Sequence, residues 1–420
     1  MNTNKKNLII IFIAVVLVAI VLGIAYYFFF MKSGVGEPSP TTTLPTGPGG
    51  GLPQIPSGQT STSTPGGTQV NIPRLRQITS EPVGGAGIFD VTNADKTESI
   101  IIRYIQRADG NIFETKTDTL AINRISNKTI PKIYEAYWGG GGDVVITRQL
   151  KDDNETVESF AAKLSPLETR FLTGQAGSAS STEMNLGGVY LPQKISALAI
   201  SPDKSKMFYL YPTSDGIGGI FANADGSKKT LIFESPLSEW SASFADNKTI
   251  VLNTKSSASA NGFAYFLDTG GGIRKIIGDI AGLTILVSPD KKLALYSESS
   301  SGSFRTKLGN LVGNNNGDFG LQTLPEKCVW SRNEPEVVFC AVPKSITSCG
   351  YPDCWYQGSV AFSDDIWKIN TATGETNRLI SPESFAQKTI DVINPLLNDS
   401  ESFLLFMNKI DLTLWVLDIR

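Results

Sequence analysis

The most informative absence in this chain is histidine, which does not occur once among its 420 residues. Ser-His-Asp triads, Cys-His nucleophilic sites and histidine metal clusters all need an imidazole, so the sequence excludes them. Charged residues are also few, at 18% of the chain, and the formal net charge is only −3. Because nucleic-acid-binding proteins carry a basic surface, this balance argues against a nucleic-acid partner.

Familiar cofactor and catalytic signatures are missing as well. The glycine-rich segment 138–143 contains neither Gly-x-Gly-x-x-Gly nor Gly-Lys-Ser/Thr, and the acidic segment 151–158 lacks the spacing of a calcium loop. The Gly-x-Ser-x-Gly motif of hydrolases does not occur. We therefore predict no cofactor, no metal and no catalytic residue. Any catalysis would depend on carboxylates, lysine, tyrosine or a cofactor.

The N-terminal segment is one long apolar run without charge, from Asn7 to Met31. A helix of that length spans a hydrocarbon core of about 30 Å. A cleaved signal peptide is the alternative, but the run is long and no small-x-small cleavage site follows it. Lys5 and Lys6 precede the run and Lys32 alone follows it closely. The positive-inside rule then predicts that residues 1–6 are cytoplasmic and that the chain continues outside.

Residues 32–73 consist mainly of Pro, Gly, Ser and Thr. Such a segment cannot bury enough apolar surface to offset the entropy lost on ordering, so we predict a disordered linker. The expected protein is thus a single-pass protein of the cell membrane. Its anchor would be the helix 7–31, and residues 74–420 would form an extracytoplasmic domain.

The remaining chain repeats one pattern, in which an apolar run, a polar turn and a second apolar run follow one another. Turns at Ser201, Ala245, Ser288 and Ser331 recur at intervals of about 43 residues. The apolar runs alternate or are short and bounded by Gly, Asn, Asp and Pro, which indicates strands. A period of this length, with four strands in each unit, is typical of β-propeller blades.

Three less regular turns extend the period outward, near Val91, near Gly139 and at Asn394. Two insertions interrupt it, at residues 172–193 and 343–364. Seven turns predict an all-β, seven-bladed propeller, and the interruptions leave six or eight blades open.

The last unit ends one strand short of four. We expect residues 74–79 to supply that strand and to close the ring, since closure hides the sheet edges that an open array exposes.

Two of the turns are nearly identical, since residues 200–204 read Ile-Ser-Pro-Asp-Lys and residues 287–291 read Val-Ser-Pro-Asp-Lys. With the apolar strand before each, they resemble the TolB-like, WD-type propeller repeats, in which Ser-Pro-Asp-Gly-Lys follows such a strand. The glycine is missing here. The resemblance covers about residues 74–420 and implies protein binding or scaffolding as a typical role. Proline and aspartate shape such turns, so we expect both motifs to be structural.

The four cysteines form the most specific local pattern. Cys328 and Cys340 lie symmetrically about Glu334, and Cys349 and Cys354 flank Gly-Tyr-Pro-Asp, so each pair is expected to face across a hairpin. In an extracytoplasmic domain this predicts two disulfides, 328–340 and 349–354. A four-cysteine zinc site is the alternative, although its spacing differs from that of zinc knuckles. Free buried thiols are a further alternative for the first pair.

Two groups of aromatic residues are candidates for partner binding, because interface hot spots favour Trp and Tyr. The first group is assigned one shared position, just before the turn on the strand that lines the central channel: Trp138, Trp240 and Trp330. Packing between blades is the alternative role for this group. The second group lies in the cysteine-rich insertion, a kind of segment that often carries recognition on repeat scaffolds: Tyr351, Trp355 and Tyr356.

Together these features predict a membrane-anchored, extracytoplasmic propeller that is not an enzyme and acts as a protein-binding or envelope-scaffolding module. The expected partner is another envelope protein or a surface polymer. The alternative is a carboxylate-dependent hydrolase that acts on glycans or peptides in the propeller channel. Convergent acidic side chains with raised pKa values in the channel would favour the hydrolase. An apolar, Trp-rich face without such side chains would favour binding.

The predicted compartment can be tested through the cysteines. We expect peptide mapping of the unreduced protein to recover the pairs 328–340 and 349–354, because an exported domain meets an oxidising environment. Four free thiols in the native protein would contradict export.

Overall fold

The structure is a computed structural model that describes residues 71–93, 95–126, 128–166, 183–313 and 315–420. The predicted cytoplasmic tail and anchor helix lie outside these ranges, as does all but the end of the predicted linker. Within them, no helix is both long and apolar enough to cross a membrane. The anchor therefore stays a prediction.

Seven antiparallel sheets of four strands each make up the described chain, and this confirms the all-β propeller with seven blades. Blade 1 comprises β2 (Val83–Thr92), β3 (Glu98–Gln106), β4 (Ile112–Lys116) and β5 (Ile122–Arg124). Blade 2 comprises β6 (Ile133–Gly139), β7 (Val144–Leu150), β8 (Val157–Pro166) and β9 (Met184–Tyr190). Blade 3 comprises β10 (Ala197–Ile200), β11 (Lys206–Thr213), β12 (Gly216–Asn223) and β13 (Thr230–Ser235).

Blade 4 comprises β14 (Trp240–Asp246), β15 (Thr249–Thr254), β16 (Asn261–Asp268) and β17 (Ile273–Ala281). Blade 5 comprises β18 (Ile285–Val287), β19 (Leu293–Ser300), β20 (Ser303–Asn310) and β21 (Asn316–Asp318). Blade 6 comprises β22 (Cys328–Trp330), β23 (Val337–Pro343), β24 (Asp364–Asn370) and β25 (Thr376–Ile380). Blade 7 combines strands from both ends of the domain: β26 (Val392–Leu397), β27 (Phe403–Asn408), β28 (Leu414–Asp418) and β1 (Leu75–Thr79).

The helices of the described chain are short. Two α-helices are present, α1 (Asp353–Tyr356) and α2 (Pro382–Ala386). Two 3-10 turns cover Gly140–Gly142 and Pro325–Lys327. Part of the predicted insertion 172–193 is regular structure after all, since β9 lies within it and is the fourth strand of blade 2.

The first strand of the domain is the outermost strand of the last blade. Leu75 of β1 pairs with Leu417 of β28, and the backbone N–H of Asp418 donates to the carbonyl of Arg74 at 2.8 Å. Leu75 is 3% exposed and packs in the core between blades 6 and 7. The two ends of the domain are thereby joined within one sheet.

A separate apolar core fills each of the seven interfaces between neighbouring blades. Strand β11 shows how one strand contributes side chains to two of these cores. Met207 and Tyr209 pack against blade 2, while Phe208 and Leu210 pack against blade 4. Successive side chains of a strand point to opposite faces, so a strand buried on both faces needs a continuous apolar run. That requirement explains why the second strands of the repeats do not alternate.

The turn between first and second strands has one geometry in blades 3 and 5. Lys204 N–H donates to the Ser201 carbonyl at 2.8 Å, and Lys291 N–H donates to that of Ser288 at 2.9 Å. Both lysines have a φ of 62°. This left-handed conformation favours glycine, the residue that the similar repeats carry there, and lysine accepts it at some cost in backbone energy.

The predicted turn at Asn394 is wrong. Asn394 lies inside β26, where a bulge shifts the register between Ile393 and Leu396 and gives Asn394 a φ of 51°. The turn of blade 7 begins four residues later, where Glu401 N–H donates to the Asn398 carbonyl at 3.0 Å. The sequence Asn-Pro is common in turns, where asparagine often adopts the left-handed conformation. A β-bulge can use the same conformation, so the sequence alone did not distinguish a turn from a bulge.

The two ends of the ring differ in the connections they carry. We call the end with the connections between first and second strands the turn face, and the opposite end the insertion face. The cysteine-rich insertion joins β23 to β24 (residues 344–363) and therefore lies on the insertion face.

Both disulfides are present with the predicted pairing. Cys328 and Cys340 are directly opposed on β22 and β23, with Cα atoms 4.1 Å apart. Cys349 and Cys354 are joined within the insertion, with Cα atoms 6.3 Å apart. The expected hairpin for the second pair is wrong, because Cys354 lies in the helical turn α1.

Ring closure can be tested through Leu75. We expect Leu75→Ala to lower the free energy of unfolding by about 3 kcal/mol, because the substitution leaves a cavity in the core between blades 6 and 7. The matched control is Leu120→Ala, at a position that is 53% exposed. It should cost less than about 0.5 kcal/mol. Chemical denaturation of the full chain in detergent gives both values, and equal values would contradict closure by β1.

Candidate functional site

A cavity lies at the centre of the ring, on the side of blades 7, 1 and 2. Its volume is about 370 Å³, and its walls include the first strands β2, β6 and β26, part of β27 and the turn after β10. A Cβ atom at Gly85 would lie 2.0 Å from the carbonyl oxygen of Ala136, so glycine is needed there to let β2 approach β6. Phe89 and Trp138 meet edge to face in the wall, with ring centroids 6.3 Å apart.

Glu135 is the one carboxylate among the described residues that line this cavity. Its Oε1 accepts the hydroxyl of Tyr137 at 2.7 Å, and its Oε2 accepts Nη1 of Arg148. Burial, reinforced by the neighbouring carboxylate, raises the pKa of the Tyr137 hydroxyl well above its usual value. Both oxygens of Glu135 are therefore engaged by donors that keep their protons. The arrangement can hold Glu135 in place, but it contains no second acid for general acid–base work.

The turn-face end of the channel is crossed by charged side chains from three blades. Lys204 of blade 3 extends its Nζ to 3.4 Å from Asp399 of blade 7 and donates to the Ile88 carbonyl of blade 1 at 3.2 Å. Arg332 of blade 6 reaches the same carboxylate at 3.3 Å. The Lys204 ammonium also lies 4.6 Å from the ring centroid of Phe89. Burial lowers the pKa of Lys204, and the Asp399 carboxylate opposes that shift.

Neighbouring turns are tied together in the same way. Glu401 of blade 7 accepts the Ser331 hydroxyl and the Arg332 backbone N–H of blade 6, each at 2.6 Å. Lys291 of blade 5 forms an ion pair with Asp246 of blade 4. The lysines of the two Ser-Pro-Asp-Lys turns therefore connect blades.

The three tryptophans, which we expected at one shared position of the first strand, lie at two different positions of that strand. Trp138 and Trp330 lie at the turn-face ends of β6 and β22, where they pair with Val145 and Val338. Trp240 is instead the first residue of β14, so the shared position is wrong for this residue. All three are buried between blades, with exposures of 4–8%. Trp138 is the member of the group that lines the cavity.

The aromatic residues of the insertion have two different environments. Tyr351 and Trp355 are 0% and 3% exposed and pack with Phe304 and Phe362 in a core of their own. Tyr356 is 45% exposed and donates its hydroxyl to Glu326. Of the second candidate group, Tyr356 is thus the side chain that reaches the surface.

The insertion extends over several blades. Asp353 Oδ2 accepts the backbone N–H of Ala258 in blade 4 at 2.6 Å, and Cys349 N–H donates to the Gly302 carbonyl in blade 5 at 2.8 Å. Trp355 Nε1 donates to Asp391, just before blade 7, at 2.9 Å.

A buried charge cluster beneath the insertion escaped sequence analysis. Lys327, Asp364 and Asp391 have fully buried side chains, and the Lys327 ammonium contacts both carboxylates. Burial raises the pKa of Asp364 to about 6, against the opposing effect of Lys327. Each of the three residues directly precedes or begins a strand.

No protein-family model and no curated protein matches the sequence. Several solved structures are similar in fold. The oligogalacturonate lyase of Vibrio parahaemolyticus is 10% identical over 82% of this chain and 93% of its own, with a TM-score of 0.49. TolB of Acinetobacter baumannii is 11% identical over 70% and 62%, with a TM-score of 0.40. Prolyl oligopeptidase B of Galerina marginata is 10% identical over 77% and 47%, with a TM-score of 0.48. At these identities the likeness concerns the fold alone.

The charged bridge across the channel can be measured with a double-mutant cycle. We expect Lys204→Met and Asp399→Asn to show a coupling energy of about 0.5–1 kcal/mol, because Lys204 is largely buried. Lys255 and Glu239 form the control pair, since both side chains are 68% exposed. Their coupling should be about 0.2 kcal/mol. Equal coupling in the two pairs would show that the bridge stabilises the ring no more than an exposed ion pair does.

Proposed function

We propose that this propeller is a binding module of the cell envelope that recognises another envelope protein through its insertion face. The observation that carries the proposal is a set of large apolar side chains, each about half exposed, on three separate connections of that face: Tyr356, Phe385 and Ile410. Contact surfaces for proteins concentrate aromatic and aliphatic side chains of this kind.

The connections that carry these side chains are held in place by the insertion. Glu383 of α2 pairs with Lys344 at 2.7 Å, at the start of the insertion. Beside Ile410, the Lys409 backbone N–H donates to the Asp391 carbonyl at 2.7 Å, and its ammonium lies 5.3 Å from the Trp355 ring centroid. A surface already rigid before binding loses less conformational entropy when a partner docks.

The cell envelope as the place of action is supported by the two disulfides, which persist in oxidising compartments. The proposal includes the helix 7–31 as the membrane anchor, with the propeller on the extracytoplasmic side.

The hydrolase alternative has less support. Common glycoside hydrolysis uses two carboxylates that flank the bond to be cleaved. The described lining of the channel cavity offers Glu135 alone, already bonded to Tyr137 and Arg148. The raised pKa of Asp364 belongs to a group that is sealed from solvent by the insertion.

The test is photo-crosslinking of the full chain in the membranes that contain it, with three baits. One bait is the wild type and one carries Phe385→Asp and Ile410→Asp. The third carries Leu231→Asp and Ile273→Asp, at positions that are similarly exposed but begin outer strands of blades 3 and 4 at the turn face.

We expect the wild type and the outer-strand variant to capture one and the same protein, and the insertion-face variant to capture at least about tenfold less. Equal capture by all three baits would contradict the proposed face. Capture of a carbohydrate polymer instead of a protein would contradict the proposed partner class.

A further inference from the structure

The buried cluster beneath the insertion brings an amine and a carboxyl group to hydrogen-bonding distance. Lys327 Nζ lies 2.7 Å from Oδ2 of Asp364 and 2.5 Å from Oδ1 of Asp391. All three side chains are 0% exposed. The ring centroids of Trp355 and Phe362 lie 5.2 and 5.1 Å from the same Nζ, so the groups are enclosed by aromatic surface.

An ordinary ion pair explains this cluster poorly. Two carboxylates and one ammonium leave a net negative charge in a site without solvent, and burying an uncompensated charge is expensive. Burial raises the pKa of Asp364 to about 6, so part of the population carries this group as a neutral acid at neutral pH. Its Oδ1 is buried and accepts no hydrogen bond within the described part of the chain.

The two aspartates differ in their partners. Asp391 Oδ2 accepts Trp355 Nε1 at 2.9 Å and the Phe362 backbone N–H at 3.0 Å, while its Oδ1 faces the lysine. Asp364 Oδ2 accepts the Val392 backbone N–H at 2.7 Å. Asp391 therefore accepts hydrogen bonds at both oxygens, and Asp364 has donors placed at one oxygen only.

We propose that Lys327 and Asp364 are joined by an intramolecular isopeptide bond, formed by the protein itself with Asp391 as the proton acceptor. A proton passes from the Lys327 ammonium to Asp391, and the resulting amine attacks Cγ of the protonated Asp364. The new N–C bond gives a tetrahedral intermediate, which collapses when the Oδ1 hydroxyl leaves as water with a second proton from the nitrogen. The products are one amide, one water and a protonated Asp391, so no oxidant or other reactant is needed.

The surroundings favour this reaction in physical terms. Desolvation makes a lysine amine nucleophilic, and an N–H donor at Oδ2 stabilises the oxyanion of the tetrahedral intermediate. The product site contains an amide and a neutral acid in place of buried charges. The bond would connect the segment before β22 with the start of β24, and the enclosed loop contains both disulfides.

The test is mass spectrometry of the full chain after reduction of its disulfides. We expect a mass about 18 Da below that of the sequence, the loss of one water. Trypsin should fail to cleave after Lys327, and a branched peptide joining Lys327 to Asp364 should be recovered. Wild type with the full sequence mass and normal cleavage after Lys327 would overturn the proposal.

Three variants distinguish the isopeptide bond from other reactions that also remove one water. Lys327→Met and Asp391→Asn should restore the full sequence mass, the first by removing the nucleophile and the second by removing the proton acceptor. Asp365→Asn is the matched control, because the neighbouring carboxylate pairs with Lys344 and Arg378 outside the cluster. It should keep the lower mass. A loss of water that persists in Lys327→Met would indicate a succinimide and contradict the proposal.

Discussion

Pairing between β1 and β28 is the interaction on which the rest of this ring depends. Each blade buries both of its faces against neighbours, so no blade holds a complete core alone. The core between blades 6 and 7 includes Leu75 from the first strand and Leu417 from the last. The cores on either side of blade 7 are completed only when the two ends of the domain meet. Pairing strands from opposite ends of the chain costs loop-closure entropy before the contacts form. We therefore expect the domain to fold slowly.

The fold was predictable because blade-forming strands follow simple rules of burial. The run from Met207 to Leu210 is continuously apolar since both faces of β11 are covered, and the regular spacing of turns reflects equal blades. The identity of individual residues was a poorer guide to local structure. Asn394 and Pro395 have the composition of a turn but form a bulge, because both features use the same backbone conformation. Trp240 was misplaced because a strand of seven residues offers two buried ends. The cluster around Lys327 could not be predicted, since its three members come from distant segments that only the ring brings together.

The two faces of the ring are held by different forces. On the turn face, ion pairs and hydrogen bonds such as Lys204 to Asp399 and Ser331 to Glu401 connect one blade to another. On the insertion face, one long connection packs its own aromatic core over blades 4 to 7. Salt weakens partly exposed ion pairs and strengthens apolar burial, so high salt is expected to loosen the turn face more than the insertion face. On the insertion face, the partly exposed ion pair between Lys344 and Glu383 is the contact described above that salt would weaken, while the aromatic core of the insertion would stay in place.

The position of β1 also has a mechanical consequence. This strand is the outermost of its blade, and among the described strands it pairs with β28 alone. A tether that pulls on the residues before Leu75 would load the hydrogen bonds between β1 and β28 before any other part of the propeller. Tension between such a tether and a partner held at the insertion face would pass through the same five-residue strand. The strand that closes the ring is thus also the first to bear such a load, and its detachment would expose the core around Leu417.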